Sequence, residues 1–454
     1  MSPSNKFHPI TIFLLLAGLL LACTAAGQPV RGQTPSPAKS PSAAMLSPDK
    51  WALWSSGTRL RGANVYQRRV YPELDEGLLG SGDFGPPFTQ ADFDHLAALG
   101  ANYVNLSHPG LYTETPPYQV DPAAQANLDA FIQMAANANL YVVITARTGP
   151  GRSEFWAFWG EDTASDPEYG WFDPSYYNNR VWGEQDAQDA WVAMWRYTAE
   201  RYKDNPAVVG YDLMCEPNSN DVGSYPLGDP LDVWDPAQFQ ADYGGTLYDW
   251  NQLYPRIVSA IREVDTATPI LVGGNGYSAP DWLPYMQVIS DTRAVYTIHQ
   301  YDPHTYTHQL STTTGITYPG FFDTNWDGTP EDFNRAWLES LLSDTVDAFR
   351  QAHGGVPVAA NEYGLVRWAP GAPEFMDDQM ALFEQRGMNY ALWEWSTTWE
   401  PFASTIHDFN FRYGPDPANR ADTQNALQDA ITSYWARNAA RPFGTEVYLP
   451  LMRR

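Results

Sequence analysis

Cysteine and positive charge are what this 454-residue chain has least of. Two cysteines, Cys23 and Cys215, exclude a disulfide-stapled fold, and no cysteine cluster offers a structural zinc site. Only 27 basic side chains face 53 acidic ones, a net charge of −26, so a phosphate backbone is repelled and nucleic acid is excluded as a partner. The glycine-rich stretch Gly149-Pro150-Gly151-Arg152 lacks the lysine of a phosphate loop and reads as a turn. His108, His299, His304 and His308 follow no compact ligand spacing, so no metal and no cofactor is expected. A metal-dependent hydrolase built on those histidines would be inactivated by chelation.

What is abundant is apolar and aromatic. The 44% apolar content is enough for a large core. Eighteen Trp, 27 Tyr and 20 Phe exceed what packing alone demands, and aromatic faces stack on the C–H faces of sugars. At the N-terminus, Lys6 and His8 precede an apolar run from Ile10 to Ala22, too short to cross a bilayer but suited to a signal peptide. Leu20-Leu21-Ala22-Cys23 looks like a bacterial lipobox, which would make Cys23 the lipid-bearing first residue of an extracellular protein anchored to the cell surface. Residues 24–47, rich in Pro, Ser, Ala, Gln and Thr, read as a disordered tether. The expected organisation is a leader over 1–23, the linker over 24–47, a catalytic domain over 48–440 and a tail over 441–454, in a monomer.

From Leu60 onward, short apolar runs alternate with longer amphipathic ones. Strands are expected over Leu60–Tyr66, Asn102–Ser107, Leu140–Ala146, Val208–Met214, Pro269–Gly273, Ala294–His299, Val356–Ala360 and Met388–Trp393. Helices are expected over Gln90–Leu99, Ala123–Ala138, Gln185–Tyr202, Tyr243–Val264, Asp281–Ser290, Pro330–His353, Phe375–Gln385 and Asp422–Arg437. Eight strand–helix units in strict alternation close as a single (β/α)8 TIM barrel of the α/β class. Long segments after strands three, four and six, 147–184, 218–242 and 301–329, read as walls of a cleft on the C-terminal face.

Two glutamates follow apolar runs that end at that face. Glu216 closes Met214-Cys215-Glu216-Pro217 after strand four, and Glu362 closes Ala359-Ala360-Asn361-Glu362 after strand seven. A pair of carboxylates on one rim is what glycoside hydrolysis needs, one as acid and one as nucleophile or base. Cys215-Glu216-Pro217, Asn361-Glu362-Tyr363-Gly364, His299-Gln300-Tyr301 and Trp393 resemble, in this order, motifs of glycoside hydrolase family 5, the cellulase-like family of clan A, over about Leu60 to Arg437. The resemblance implies a retaining, endo-β-glycanase-like glycosidase acting on a β-linked polysaccharide or oligosaccharide such as β-glucan, cellulose or mannan. It gives Glu216 the role of acid/base and Glu362 that of nucleophile. It also implies that Tyr301 bonds the nucleophile, that His299 lines the −1 sugar site and that Trp393 carries the sugar.

The chain departs from the family at two places. Cys215 stands where the family has an asparagine for the sugar 2-hydroxyl, and Asn105 stands where strand two ends in an arginine that supports the nucleophile. Arg147 or Arg61 would then supply the positive charge, and His108 joins the candidate sugar-binding set. The departures also leave open a surface carbohydrate-binding protein on a barrel that has lost turnover. Asp323-Thr324-Asn325-Trp326-Asp327-Gly328 opens like a calcium loop, yet its twelfth position is Asn334, so a polar turn is expected unless Glu331 or Asp332 completes a looser site.

Overall fold

The computed structural model describes residues 49–75, 77–154, 178–222, 231–404 and 407–443. The expected leader, the lipid site at Cys23, the linker, parts of two cleft loops and most of the tail lie outside them. The apolar runs become parallel strands: β1 (Arg61–Tyr66), β2 (Tyr103–His108), β3 (Tyr141–Ala146), β4 (Val208–Asp212), β5 (Ile270–Gly273), β6 (Ala294–Gln300), β7 (Val358–Tyr363) and β8 (Tyr390–Leu392). They close in sequence order, with β8 pairing back to β1 through Arg61 opposite Tyr390. The fold is the expected TIM barrel, within one unit spanning Pro48–Arg454.

Around it run α1 (Gln90–Ala98), α2 (Pro122–Asn137), α3 (Gln185–Tyr202), α4 (Trp250–Arg262), α5 (Arg335–Leu342), α6 (Ala372–Gln385) and α7 (Ala426–Trp435). Their starts follow capping chemistry. Asp121 accepts from the amides of Ala123 and Ala124 ahead of α2, and Thr89 with Asp92 forms a capping box on α1. The expected helix over Tyr243–Val264 is shorter, because Gly244 and Gly245 separate α4 from a preceding helix, Pro236–Tyr243. The one expected over Pro330–His353 begins only at Arg335, since Glu331–Phe333 pairs with Gly320–Phe322 as a hairpin. The unit after β5 is a 3-10 turn, Pro280–Tyr285, with prolines at Pro280 and Pro284.

Inside the barrel, Leu60, Tyr103, Val143, Val209, Leu271 and Val295 belong to one buried apolar cluster. Two positions further along β2 and β3 stand Asn105 and Thr145, both buried, so the apolar filling gives way to a polar layer toward the C-terminal rim. Both strands that lead to the glutamates break register. Val142 and Val143 of β3 pair with Val208 and Gly210, and Ile298 and His299 of β6 pair with Ala360 and Glu362. Each shift places one extra residue, Val209 or Asn361, in the glutamate-bearing strand.

Candidate active site

β7 extends past the expected end at Ala360, so Glu362 lies within the strand and Tyr363 after it packs outward on Phe383 of α6. Glu216 lies four residues beyond the end of β4, in left-handed backbone with φ of 53°. That conformation is unfavourable for a residue with a Cβ. It is held by Arg152, fully buried, whose guanidinium donates to the Glu216 carbonyl at 2.7 Å and reaches Asn218 Oδ1 at 3.4 Å.

The two strands bring their carboxylates together with His299. Ligating atoms of Glu216, His299 and Glu362 all lie within 4.8 Å of one another. His299 Nδ1 is 2.9 Å from Glu216 Oε1 and 3.6 Å from Glu362 Oε2. Burial opposes its charged form, but Glu362 and the hydrogen bond to Glu216 outweigh burial and raise its pKa to about 9. The imidazolium therefore carries a proton on Nδ1 and donates it to Glu216. These three residues form the one cluster with ligand spacing among the described residues.

Tyr301 donates its hydroxyl to Glu362 Oε1 at 2.7 Å. Burial pushes the Glu362 carboxyl above its usual pKa and the charge of Glu216 adds to this, while His299, the Tyr301 hydroxyl and Arg147 pull it down. Trp393 is half-buried, with its ring 5.9 Å from Tyr66 edge to face. Arg147 lies at the rim beside them, its guanidinium 4.6 Å from the Tyr66 ring and 5.7 Å from Trp393. It is buried and paired with Glu154 at 2.9 Å, so the arginine near the nucleophile directly follows β3 instead of ending β2. Arg61 is elsewhere: it pairs with Glu384 and Asn438 at the start of β1, away from the glutamates.

Three other candidates are displaced from the cleft. Asn105 is buried in the barrel, where it donates to Asn64 Oδ1 at 2.7 Å and accepts from Thr145. His108 turns toward α2, with one ring nitrogen 2.6 Å from the Pro109 carbonyl and the other 2.8 Å from Asn127 Oδ1, and its ring stacks on Phe84. Both side chains are buried and engaged by these partners. Cys215 is buried with its sulfur 3.9 Å from Ser107 Oγ, and burial raises its thiol pKa, so it stays neutral and replaces an amide with a weak partner.

The calcium-like loop is a polar turn. Asp323 accepts from the amides of Asn325 and Gly328, Asp327 accepts from Thr329, and Asn334 caps α5 instead of facing the loop. Residues missed by sequence reasoning are Arg152, Glu154, Tyr66 and Glu394. Arg152 and Glu154 lie in a loop without periodicity, and Tyr66 is lost in an apolar strand. Glu394 follows Trp393 across a cis peptide, is buried, and has a pKa pushed up to about 7 by burial against the pull of Arg147.

A parallel barrel whose C-terminal rim carries two carboxylates this close, with a sugar-sized aromatic beside them, is the architecture of a glycoside-cleaving hydrolase. The model of the family Cellulase (glycosyl hydrolase family 5) matches residues 74–398, and the chain belongs to that family. Among its relatives, Endoglucanase C of Acetivibrio thermocellus is 22% identical over 52% of this chain and 59% of that protein. Cellodextrinase A of Ruminococcus flavefaciens is 23% identical over 61% of this chain and 68% of that protein. The matched stretch thus spans little more than half of the endoglucanase. Of solved structures, endoglucanase Cel5A from Thermotoga maritima superposes with a TM-score of 0.55 at 19% identity, covering 84% of this chain and 98% of that one. That enzyme has also been solved in complex with mannotriose, with a TM-score of 0.53 and 18% identity over 82% and 96% of the two chains.

Proposed function

We propose that the protein hydrolyses β-linked glucans or mannans with retention of configuration, Glu362 attacking the anomeric carbon and Glu216 giving its proton to the leaving oxygen. The observation that carries this reading is the close approach of the carboxylates: one oxygen of each lies within 4.8 Å of the other, nearer the roughly 5–5.5 Å spacing of double displacement than the about 6.5–9.5 Å that inversion needs to admit a water. In the first step the Glu362–carbon bond forms as the glycosidic C–O bond breaks and the Glu216 proton moves to the departing oxygen. In the second, Glu216 takes a proton from water, whose oxygen displaces Glu362.

The roles divide by surroundings. Tyr301, His299 and Arg147 all favour the ionised form of Glu362, as a nucleophile requires. Glu216 is the more open of the two, with 16% of its side chain exposed against 7% for Glu362, and so can exchange its proton with solvent. Trp393 serves as the floor for the reacting sugar. On the side beyond Glu216, Trp234 stacks on Tyr277 at 5.9 Å and 13°, and the Tyr277 amide bonds the carbonyl of Pro217. This exposed indole provides a wall for further sugar units, in keeping with relatives named for cellulose fragments and a neighbour solved with mannotriose.

Incubation with a 2-deoxy-2-fluoro glycoside bearing an activated leaving group should add one sugar mass to the peptide containing Glu362. Labelling elsewhere, or none with turnover intact, overturns the assignment. We also place the protein outside the cell as a monomer anchored through Cys23, on the strength of the apolar run and lipobox-like tetrad. Cys23→Ala should release it from the membrane fraction, and retention there would contradict the anchor.

A further inference from the structure

The extra residue in β7 has its own support across the barrel. Relative to β6, Asn361 is the unpaired position, and β8 reports the same excess, since Tyr390 and Leu392 pair with Ala360 and Tyr363. A bulge turns its residue out of the strand's alternation. Here the Asn361 side chain enters the barrel and donates through Nδ2 to Asp212 Oδ2 at 2.7 Å, while the next residue, Glu362, reaches Tyr301 at the rim. Asp212 is the last residue of β4, four before Glu216. A single hydrogen bond therefore ties the strand that carries one glutamate to the strand that carries the other. The backbone is held as well: the Asn361 carbonyl accepts from Asn64 Nδ2 at 3.0 Å and Asn105 Nδ2 at 3.4 Å. Thr145 closes the layer, donating to Asn105 Oδ1 at 2.6 Å and lying 3.2 Å from Asp212 Oδ2.

Asp212, Asn361, Asn64, Asn105 and Thr145 are all buried. Polar groups in such a place are costly unless they bond one another; Oδ1 of Asp212 and Oδ1 of Asn361 find no partner among the described residues, so the bond between Asn361 Nδ2 and Asp212 Oδ2 carries the contact of the two side chains. We propose that Asp212 and Asn361 act as a cross-barrel brace, a pair of positioning residues that sets the separation of Glu216 and Glu362. Asn64 and Asn105 hold the bulge that makes the brace possible. This rests on the reading of the two glutamates as the reacting pair.

The test is a double-mutant cycle on the full protein with an aryl β-glycoside as probe. Asp212→Ala and Asn361→Ala should each lower kcat by about 10²-fold with KM changed less than about threefold, because the fault lies in alignment of reacting groups. The double variant should be no worse than the poorer single one, since both remove the same bond. Asp212→Asn, which keeps an acceptor for the Asn361 amide, should recover about tenfold of the loss. Losses that multiply in the double variant, kcat within about twofold of the parent in both singles, or no recovery with Asp212→Asn all overturn the brace. If an alanine variant does not fold, the Asp212→Leu and Asn361→Leu pair, which removes the acceptor and the donor while keeping side-chain size, carries the same cycle, with multiplying losses again the contrary result. Azide rescue of Glu362→Gly keeps the two readings apart. Rescue together with an unaffected cycle removes only the brace, whereas absence of rescue removes the assignment of the glutamates on which it stands.

Discussion

The two glutamates are held in opposite ways. Glu362 is part of a strand, seated by a bulge and bonded by Tyr301, with surroundings that leave its carboxylate little freedom. Glu216 stands on a left-handed turn beyond its strand, fixed at its carbonyl by Arg152 and, among the described residues, at its carboxylate by His299. A nucleophile must arrive at one angle, and rigidity serves it. An acid that later becomes a base must exchange protons with solvent, and an exposed edge serves that. The difference in support therefore maps onto the difference in proposed role, and it can be broken at either side.

The largest effect is expected at the rigid member. Glu362→Gly should lower kcat by at least about 10⁴-fold on every substrate, the scale on which loss of a covalent nucleophile acts, with azide restoring turnover and giving an azido sugar. Glu216→Gln should be selective. On polysaccharide, where the leaving oxygen needs a proton, the loss should be about 10²–10⁴-fold, but an aryl glycoside with a good leaving group should show a much smaller defect in the first step. Rates on two substrates of different leaving-group pKa read this directly. Equal losses on both would mean that the roles are exchanged or shared.

Much of this division was legible in the chain. Continuous apolar runs announced the strands, and His299, Tyr301 and Trp393 stand at the rim where the motif order put them, because strand ends vary little in their geometry. The charge partner was legible only as a pair of alternatives: both arginines are followed or preceded by apolar sequence, and only packing shows that Arg147 lies beside Tyr66 and Trp393 while Arg61 joins Glu384 at the other end of the barrel. Asn105 and His108 illustrate a different failure. A residue near a strand end can point into the barrel, toward a helix or into the cleft, and a register shift elsewhere in the sheet alters which it is. The polar layer did leave a trace, since Asn64, Asn105 and Asp212 each interrupt an apolar run, but nothing local says that the interruptions meet.

pH sharpens the comparison at the next scale. Because Glu362 must be ionised to attack, kcat/KM should fall as pH drops through its pKa, and burial places that acid limb above the ordinary value of about 4.5, toward about 7. His299→Asn removes a positive charge that favours the ionised form. The acid limb should then move further up, with activity at neutral pH reduced while activity measured well above the limb recovers in part. A limb that stays in place, or moves down, would mean that the imidazolium does not act on Glu362.

Tyr301→Phe should give the smallest change of the series, and it addresses the rigid side alone. The substitution removes one hydrogen bond to the carboxylate and leaves the ring, with its edge contacts to His308 and Phe409, in place. A bond to a charged acceptor is worth about 1.5–3 kcal/mol, equivalent to roughly ten- to hundredfold in rate if all of it is expressed in the transition state. Less than that should appear, because a freed carboxylate is also more basic and hence a somewhat better nucleophile. The same loss raises the Glu362 pKa, so the acid limb should shift upward in Tyr301→Phe as it does in His299→Asn, whereas no substitution confined to the surroundings of Glu216 should reproduce both effects.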